Sequence, residues 1–523
     1  MTREAAAIGA GLAPVRAARP IRPGERIHVV GVAGAGASAA AWLGARAGAA
    51  VTGCDPGGPS PYTAALEAAG IPMAWAHGTA HVTGAADVAG MDPPDRLAVT
   101  KALTAVAPDH PELVAARDAG IPLEAWQQVV ADAATGRRLV AVAGTHGKST
   151  TAGWLVDLLV RAGADPSAFV GALLPARITG GPPGTGRWGA GEAFVIEADE
   201  YAGNFDAYRP DIAVLTGAEW DHPDVFADEA AVVAAFVAWI ARGPSDGSLV
   251  VNVGDPGARR VLAALREGRT VVRYQLEPEP GSADGSDRHA DDADLVGRIV
   301  AADPDRTSLE IRGLTPDRAP LVAHLRTAGR HNAANALAVA GAAMLLRVPA
   351  AEIIAGLEAF EGVGRRLERK GEVASVVVYD DYGHHPTAIR ETIAAIRQRE
   401  PGRRVWAVYE PLTYHRTAAL LDAFAAALAT ADAVAVADIW AGRDPDMSIA
   451  SAAGLADAVR KMRPESIVEA PGSVVATADW LADVVIAGDV VLVMGGGQSY
   501  RIGERLLERL GQRPAGLTEG MGR

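Results

Sequence analysis

Short apolar runs separated by longer stretches of helical period make up most of this chain, the pattern of parallel strands covered by helices. The clearest case is Leu139–Gly163. Leu139, Val140 and Val142 read as a buried strand, a glycine turn follows, and Trp154, Leu155, Leu158 and Leu159 share one face of the next helix, which Gly163 ends. Upstream, Ile27–Asp55 reads as strand, glycine turn, small-residue helix and second strand, a Rossmann-type opening. The alternation continues through Leu97–Thr100 and Pro111–Ala131, and Thr135-Gly136 closes the first domain. Further strands are expected at Phe194–Ala198 and Ile212–Thr216, then, in a third unit, at Val376–Tyr379, Val405–Tyr409, Val434–Ala437 and Val490–Met494. The prediction is an α/β protein of three domains: Rossmann-like over 25–136, a central phosphate-loop domain over 137–360, and Rossmann-like over 361–523. Leu276–Leu295, rich in Pro, Gly, Ser and Asp, reads as a solvated loop, and Met1–Gly24 as a loose tail.

Composition narrows the class. A chain of 523 residues exceeds one ordinary core. A formal net charge of −14 argues against a nucleic-acid footprint. The single cysteine, Cys54, rules out an internal disulfide and a cysteine-based zinc cluster and fits a reducing cytosol. No long apolar run supports export or membrane spanning, so a cytoplasmic location is expected.

The chemistry gathers at the ends of the predicted strands. Gly144 and Gly147 allow a tight turn whose N–H groups converge on an anion, Lys148 adds a mobile charge, Ser149 offers a hydroxyl to Mg²⁺, and the helix dipole points at the same anion. The loop is a shortened variant of the P-loop pattern, which would place Gly where Val142 stands. In the first domain Gly31, Gly34 and Gly36, with Asp55 after the second strand, suit a nucleotide, although close helix–strand packing explains the same glycines. Glu197, Asp199 and Glu200 cluster at a strand end where a Mg²⁺ ligand belongs, and alternation sends Glu197 and Asp199 to one side and Glu200 to the other. His222 sits at the next strand's carboxyl end. Asn332 and Asn335 share a helical face and suit either a base edge or a helix cap. In the third domain Asp380, Asp381, Tyr382, His384 and His385 precede a helix, an arrangement suited to positioning a substrate.

Taken together, HVVGVAGAGAS at 28–38, GTHGKST at 144–150, EADE at 197–200, Asp221-His222, GRHNAAN at 329–335, GRR at 364–366 and DDYGHHPT at 380–387 resemble the Mur ligase family, over nearly the whole chain. The resemblance implies a domain for a uridine-nucleotide sugar, an ATP-binding ligase domain and a domain for the incoming amino acid. It implies ATP-dependent ligation of L-alanine to the lactyl carboxylate of UDP-N-acetylmuramate through an acyl phosphate, with ATP and Mg²⁺ as cofactors and neither nucleic acid nor membrane as partner. By the same resemblance, Gly144, Thr145, His146, Gly147, Lys148, Ser149 and Thr150 cradle ATP phosphates, Asn332 meets adenine, and Arg365 or Arg366 assists with phosphate. Ser149 and Glu197 would hold one Mg²⁺, and His222 with Glu197 a second. Tyr382, His384 and Arg416 would line the meeting point of the substrates, Glu200 or His384 would take the amine's proton, and Gly34, Gly36, Ser38 and Asp55 would hold the UDP-sugar.

GGGQSYRIGERLL and DIWAGRD look like the alanine-adding branch. EADEY, EWDHPDVF and HHPTAI lean toward the recycling branch, which attaches an L-Ala-γ-D-Glu-diaminopimelate tripeptide. Outside this family, a nicotinamide-dependent dehydrogenase would use the first glycine turn but leave Lys148 and Ser149 without a role, and a nucleotide-gated motor would need no amino-acid site.

Overall fold

The computed structural model describes residues 8–84, 92–279, 292–442, 444 and 446–512. The chain forms two compact units. One runs to Arg298 and includes Leu309–Ala323 and Ala334–Gly364; the other takes Ile299–Ser308, His324–Ala333 and the chain from Arg365.

Among the described residues the strands build three sheets. In the first, β1 (Arg26–Val30), β2 (Ala50–Cys54), β3 (Met73–Ala74), β4 (Arg96–Val99) and β5 (Leu123–Ala125) lie parallel in the order β3-β2-β1-β4-β5. The order reverses at β1, so the glycine turn after it opens at the switch point where open α/β sheets hold ligands.

The second sheet has ten strands: β6 (Arg138–Ala143), β7 (Ser167–Leu174), β8 (Gly184–Arg187), β9 (Ala193–Glu197), β10 (Ile212–Leu215), β11 (Ser248–Asn252), β12 (Thr270–Leu276), β13 (Leu295–Ala302), β14 (Thr307–Arg312) and β15 (Leu321–Leu325). Their order is β15-β14-β13-β12-β11-β10-β6-β9-β7-β8. With β10 on one side and β9 on the other, β6 delivers its loop to a second switch point. The expected solvated loop falls between β12 and β13, and its residues 280–291 lie outside the described residues.

The third sheet orders β16 (Glu368–Val373), β17 (Val376–Asp381), β18 (Val405–Glu410), β19 (Ala433–Ala437), β20 (Ile467–Gly472) and β21 (Val490–Gly495) as β16-β17-β21-β18-β19-β20. Only β16 of these runs antiparallel to its neighbour. Among the described residues no helix is long and apolar enough to cross a membrane.

The first two sheets share one core. It passes from Ile27, Val29 and Leu43 through Val129 and Val130 to Phe169, Phe194, Phe236 and Trp239 without a break. Full burial of such side chains contributes about 1.5–3 kcal/mol each. At the junction Trp126 meets Phe169 edge-on, 5.3 Å between centroids, and the Ser38 hydroxyl lies 3.2 Å from that of Thr185.

The N-terminal segment is not loose from Ile8 onward. Ala13 donates its N–H to the Leu123 carbonyl at 2.7 Å, and Arg16 reaches Glu124 at 2.8 Å and Asp132 at 2.7 Å. Three buried carboxylates, Glu25, Glu124 and Asp132, surround the buried Arg96, and one guanidinium cannot compensate them all. The tail supplies Arg16 and Arg19; the hydrogen bond from Arg19 outweighs burial and holds Glu25 down at about 2. No apolar period signals this, because the segment is held by ion pairs.

Gly36 lies in the helix Ala35–Arg46, and a Cβ there would fall 2.2 Å from the Trp126 ring. Its absent side chain therefore lets this helix approach the helix Trp126–Ala133. Gly36→Ala should cost about 1–3 kcal/mol by overpacking, seen as a lower midpoint in urea unfolding. Unchanged stability with lost nucleotide binding would place Gly36 at the ligand instead.

Candidate active site

After β6 the chain turns through Gly144–Gly147 into the helix Lys148–Arg161. Gly144 has φ 134°, and a Cβ on it would lie 2.2 Å from Thr216 Oγ1 and 2.9 Å from Gly217 N. Gly147 has φ 79°, with Asn335 Oδ1 only 2.4 Å from where its Cβ would be. Both backbone conformation and contact thus demand glycine. The loop is stitched to the residues after β10: Thr145 N–H donates to Gly217 O at 3.1 Å, and the Thr145 hydroxyl donates to Glu219 O and accepts from Glu219 N, both at 2.9 Å. His146 Nε2 lies 2.8 Å from Glu219 Oε2. Thr150 follows Ser149 in the first helical turn, where Ser149 is buried.

The Lys148 ammonium donates to Gly144 O at 2.8 Å and to Glu200 Oε2 at 3.0 Å, with Asp199 Oδ1 at 3.9 Å. Burial disfavours its charge, but Glu200 and Asp199, helped by Glu197, outweigh burial and hold its pKa above the ordinary value. Glu200 moves upward too, driven by burial and by repulsion from Asp199, against the pull of Lys148.

The carboxylates do not follow strand alternation. β9 ends at Glu197, whose Oε2 accepts the Gly171 N–H at 2.7 Å. Asp199 and Glu200 lie beyond the strand, where the period of two no longer applies. Their ligand atoms and one of His222 all fall within 4.8 Å of one another. His222 Nε2 is 3.9 Å from Glu200 Oε1, and the imidazole lies edge-on to Tyr201 at 4.7 Å. His222 adopts φ 55°, its N–H held 2.6 Å from Asp221 Oδ1. A loop with glycine required at both ends, a lysine and the start of a 14-residue helix fit a nucleotide's phosphates, and carboxylate and hydroxyl oxygens suit Mg²⁺.

At the first-domain turn, Gly34 caps the helix Ala35–Arg46 with φ −76°. Asp55 accepts N–H bonds from Ala33 at 3.1 Å and Gly57 at 2.8 Å, so its carboxylate shapes this turn. Ser38 is buried and donates to Ala35 O at 2.9 Å. Of the two helical asparagines, Asn335 faces Gly147, whereas Asn332 donates to Ala328 O at 2.8 Å. The sequence places Thr216–Glu219 only at the end of an apolar strand; the clamp they form on the loop follows from the pairing of that strand with β6, which the sequence does not show.

In the second unit, Arg365 has φ 58° and donates to Asp380 Oδ2 at 3.1 Å, Gly495 O at 2.9 Å and Ser499 Oγ at 3.0 Å. The guanidinium groups of Arg365 and Arg366 each lie 5.0 Å from the Tyr382 ring centroid. His384 Nδ1 is 2.9 Å from Tyr382 O. Arg416 is buried in the short helix Tyr414–Ala419, whose cap Thr413 takes the unusual φ 63°. Thr413 is pinned on both sides, by its N–H to Trp440 O at 3.0 Å and by the Thr417 hydroxyl at 2.7 Å. The loop set and this set belong to different units.

Glu410, at the end of β18, accepts the Ser499 N–H at 2.6 Å, and burial pushes it up to about 7 against the pull of that amide and of Arg365. A raised carboxyl pKa means that the folded state binds the proton more tightly. Its contribution is complete below the unfolded value near 4.5 and is lost as pH rises through about 7. Glu410→Gln should therefore flatten the decline of stability between those limits, by a few kcal/mol at most. Urea titrations of both proteins across this range check it; an unchanged slope would refute the assignment.

Comparison with known proteins agrees with this layout. The model described as Mur ligase family, catalytic domain matches 26–138, the Mur ligase middle domain matches 142–343, and the Mur ligase glutamate ligase domain matches 365–497. The UDP-N-acetylmuramate–L-alanine ligase of Frankia casuarinae is 37% identical, covering 94% of this chain and 99% of the relative, and that of a Roseiflexus species is 36% identical, covering 93% and 99%. Among solved structures, the murein peptide ligase of Psychrobacter arcticus aligns with a TM-score of 0.69 at 25% identity, covering 94% of this chain and all of that one. The UDP-N-acetylmuramate–alanine ligase of Thermotoga maritima aligns with a TM-score of 0.72 at 23% identity, covering 92% and 98%, a likeness of fold. With three successive domain matches and relatives alike from end to end, this chain belongs to the Mur ligase family.

Proposed function

We propose that this protein joins L-alanine to the lactyl carboxylate of UDP-N-acetylmuramate, using ATP and Mg²⁺, in the cytoplasm. The observation that carries the reading is the end-to-end identity of 36–37% with enzymes named for that reaction. The phosphate loop supports it: Lys148, the loop amides and the helix start form a charged cradle for a transferring phosphoryl group. A carboxylate oxygen is a poor leaving group, and phosphorylation makes the carbonyl open to the amine.

In this reading Gly144–Thr150 hold the phosphates and Lys148 moves from Glu200 toward them. Ser149, Glu197 and His222 would hold Mg²⁺, with Asp199 and Glu200 close to His222, and the ion would spread the charge of the phosphoryl group. In this reading Glu200, whose pKa burial raises, takes the amine's proton, with His384 as the alternative. Asn332 or its neighbour Asn335 meets the base. Gly34 and Asp55 shape the turn for the uridine nucleotide, and Gly36 and Ser38, in the helix that follows, complete the proposed UDP-sugar site. Arg365, Arg366 and Tyr382 form a cationic, aromatic surface for phosphate, and Arg416 anchors the alanine carboxylate. The domain limits proposed are 25–136, 137–360 and 361–523.

Addition of the L-Ala-γ-D-Glu-diaminopimelate tripeptide is the second reading, favoured by the alignment with the Psychrobacter murein peptide ligase. The identity of 25% there, against 37% for the Frankia alanine-adding relative, ranks it second.

Phosphate release should require UDP-N-acetylmuramate and show a higher kcat/KM with L-alanine than with the tripeptide; the reverse preference would select the second reading. Lys148→Ala should lower phosphate release about a hundredfold or more while circular dichroism stays unchanged. Arg416→Lys should lower kcat/KM for L-alanine about tenfold or more, because a lysine cannot make the bidentate pair. A variant of Arg416 equal to wild type would remove it as the anchor.

A further inference from the structure

Away from the phosphate loop, the first sheet gathers an unusual set of side chains. His28 on β1, Cys54 at the end of β2, His81 in the short helix Ala80–Thr83 and Glu112 in the helix Pro111–Asp118 are all buried. One potential ligand atom from each lies within 4.8 Å of all the others. His28 Nε2 is 3.3 Å from Cys54 Sγ, Sγ is 3.2 Å from Glu112 Oε2, and His81 Nδ1 is 2.6 Å from Glu112 Oε1. His77 Nδ1 comes within 3.3 Å of the same sulfur. His110 packs edge-on against His77 at 4.3 Å, and both its ring nitrogens are buried with no hydrogen-bond partner among the described residues.

We propose that His28, Cys54, His81 and Glu112 form a binding site for a zinc-class divalent cation, with His77 and His110 lining its rim. Metal bonds of about 2.0 Å to nitrogen or oxygen and about 2.3 Å to sulfur place tetrahedral ligand atoms roughly 3.3–3.7 Å apart. The two contacts to sulfur are already near that spacing. The His81–Glu112 contact is a hydrogen bond, and the cation replaces its shared proton. The thiol proton also leaves to solvent as the metal–thiolate bond forms, so affinity rises with pH. One sulfur, two imidazoles and a carboxylate select zinc or cobalt over Mg²⁺, which takes an oxygen shell.

The surroundings match a metal site. His28 Nδ1 lies 2.8 Å from Thr52 Oγ1; protonated there, the ring turns its Nε2 lone pair toward the centre. Glu112 Oε1 is fixed by the Gly78 N–H at 2.7 Å. Burial depresses His28 to about 4, which keeps the imidazole neutral at neutral pH, whereas burial and Glu112 hold the proton on the Cys54 thiol until the cation displaces it. The cation would tie β1 and β2 to the two helices beside the first glycine turn.

The test uses the full-length protein, stripped with a chelator and titrated with Co²⁺. Cys54 is the only cysteine, so a thiolate-to-cobalt charge-transfer band can arise only here. The band should saturate at about one equivalent, with the intense visible absorption of tetrahedral cobalt, and Zn²⁺ should displace it. It should vanish in Cys54→Ala, and Thr52→Val should weaken cobalt binding about tenfold. No charge-transfer band in the wild-type protein would overturn the proposal, and so would a band that survives in Cys54→Ala. The wild-type titration decides even if a variant misfolds.

Discussion

The contact between the Lys148 ammonium and the Glu200 carboxyl is the constraint on which the central site depends. Buried ion pairs add little net stability, because desolvation consumes most of the Coulomb gain, yet they fix geometry, since either partner alone is costly. Here the lysine also donates to Gly144 O, so the pair locks the loop to the acidic turn after β9. Asp199 and His222 complete the group, and Thr216–Glu219 hold the loop from the other side. The site is therefore assembled from the ends of three adjacent strands, β9, β6 and β10.

Much of this is legible from residue order. The strand–glycine–helix run at 139–163 specifies its conformation locally, and the structure gives strand Arg138–Ala143, two glycines at positive φ, and helix Lys148–Arg161 with Gly163 at φ 73° beyond it. The buried strands of the third sheet are equally plain, because continuous Val and Ala runs leave little choice of period. Where ion pairs rather than apolar period hold the chain, as at Arg16 and Arg19, the sequence carries no periodic signal. Nor could alternation place Asp199 and Glu200, which lie past the end of their strand. The approach of Asn335 to Gly147 is a matter of tertiary packing, and a pair of asparagines on one helix face does not reveal which one meets the loop.

Three residues of the candidate sites are among the described non-glycine residues with a positive φ. His222, Arg365 and Thr413 all adopt positive φ, which costs a non-glycine residue of order 1–3 kcal/mol and is worst for a β-branched one. Each is held by specific bonds: His222 by Asp221, Arg365 by Asp380 and the Gly495 carbonyl, Thr413 by Trp440 O and Thr417. The surroundings over-determine these conformations.

The common core beneath the first two sheets bears on how the protein comes apart. Leu43, Val129, Phe169 and Phe194 belong to one cluster, so the two sheets share a hydrophobic layer, while the first sheet keeps a second cluster of its own around Val30, Leu97 and Leu113. The first sheet and most of the second lie in one compact unit of the chain. A fragment cut between the sheets would expose its half of that shared layer to water, so β1 and β6 are expected to open together in hydrogen exchange.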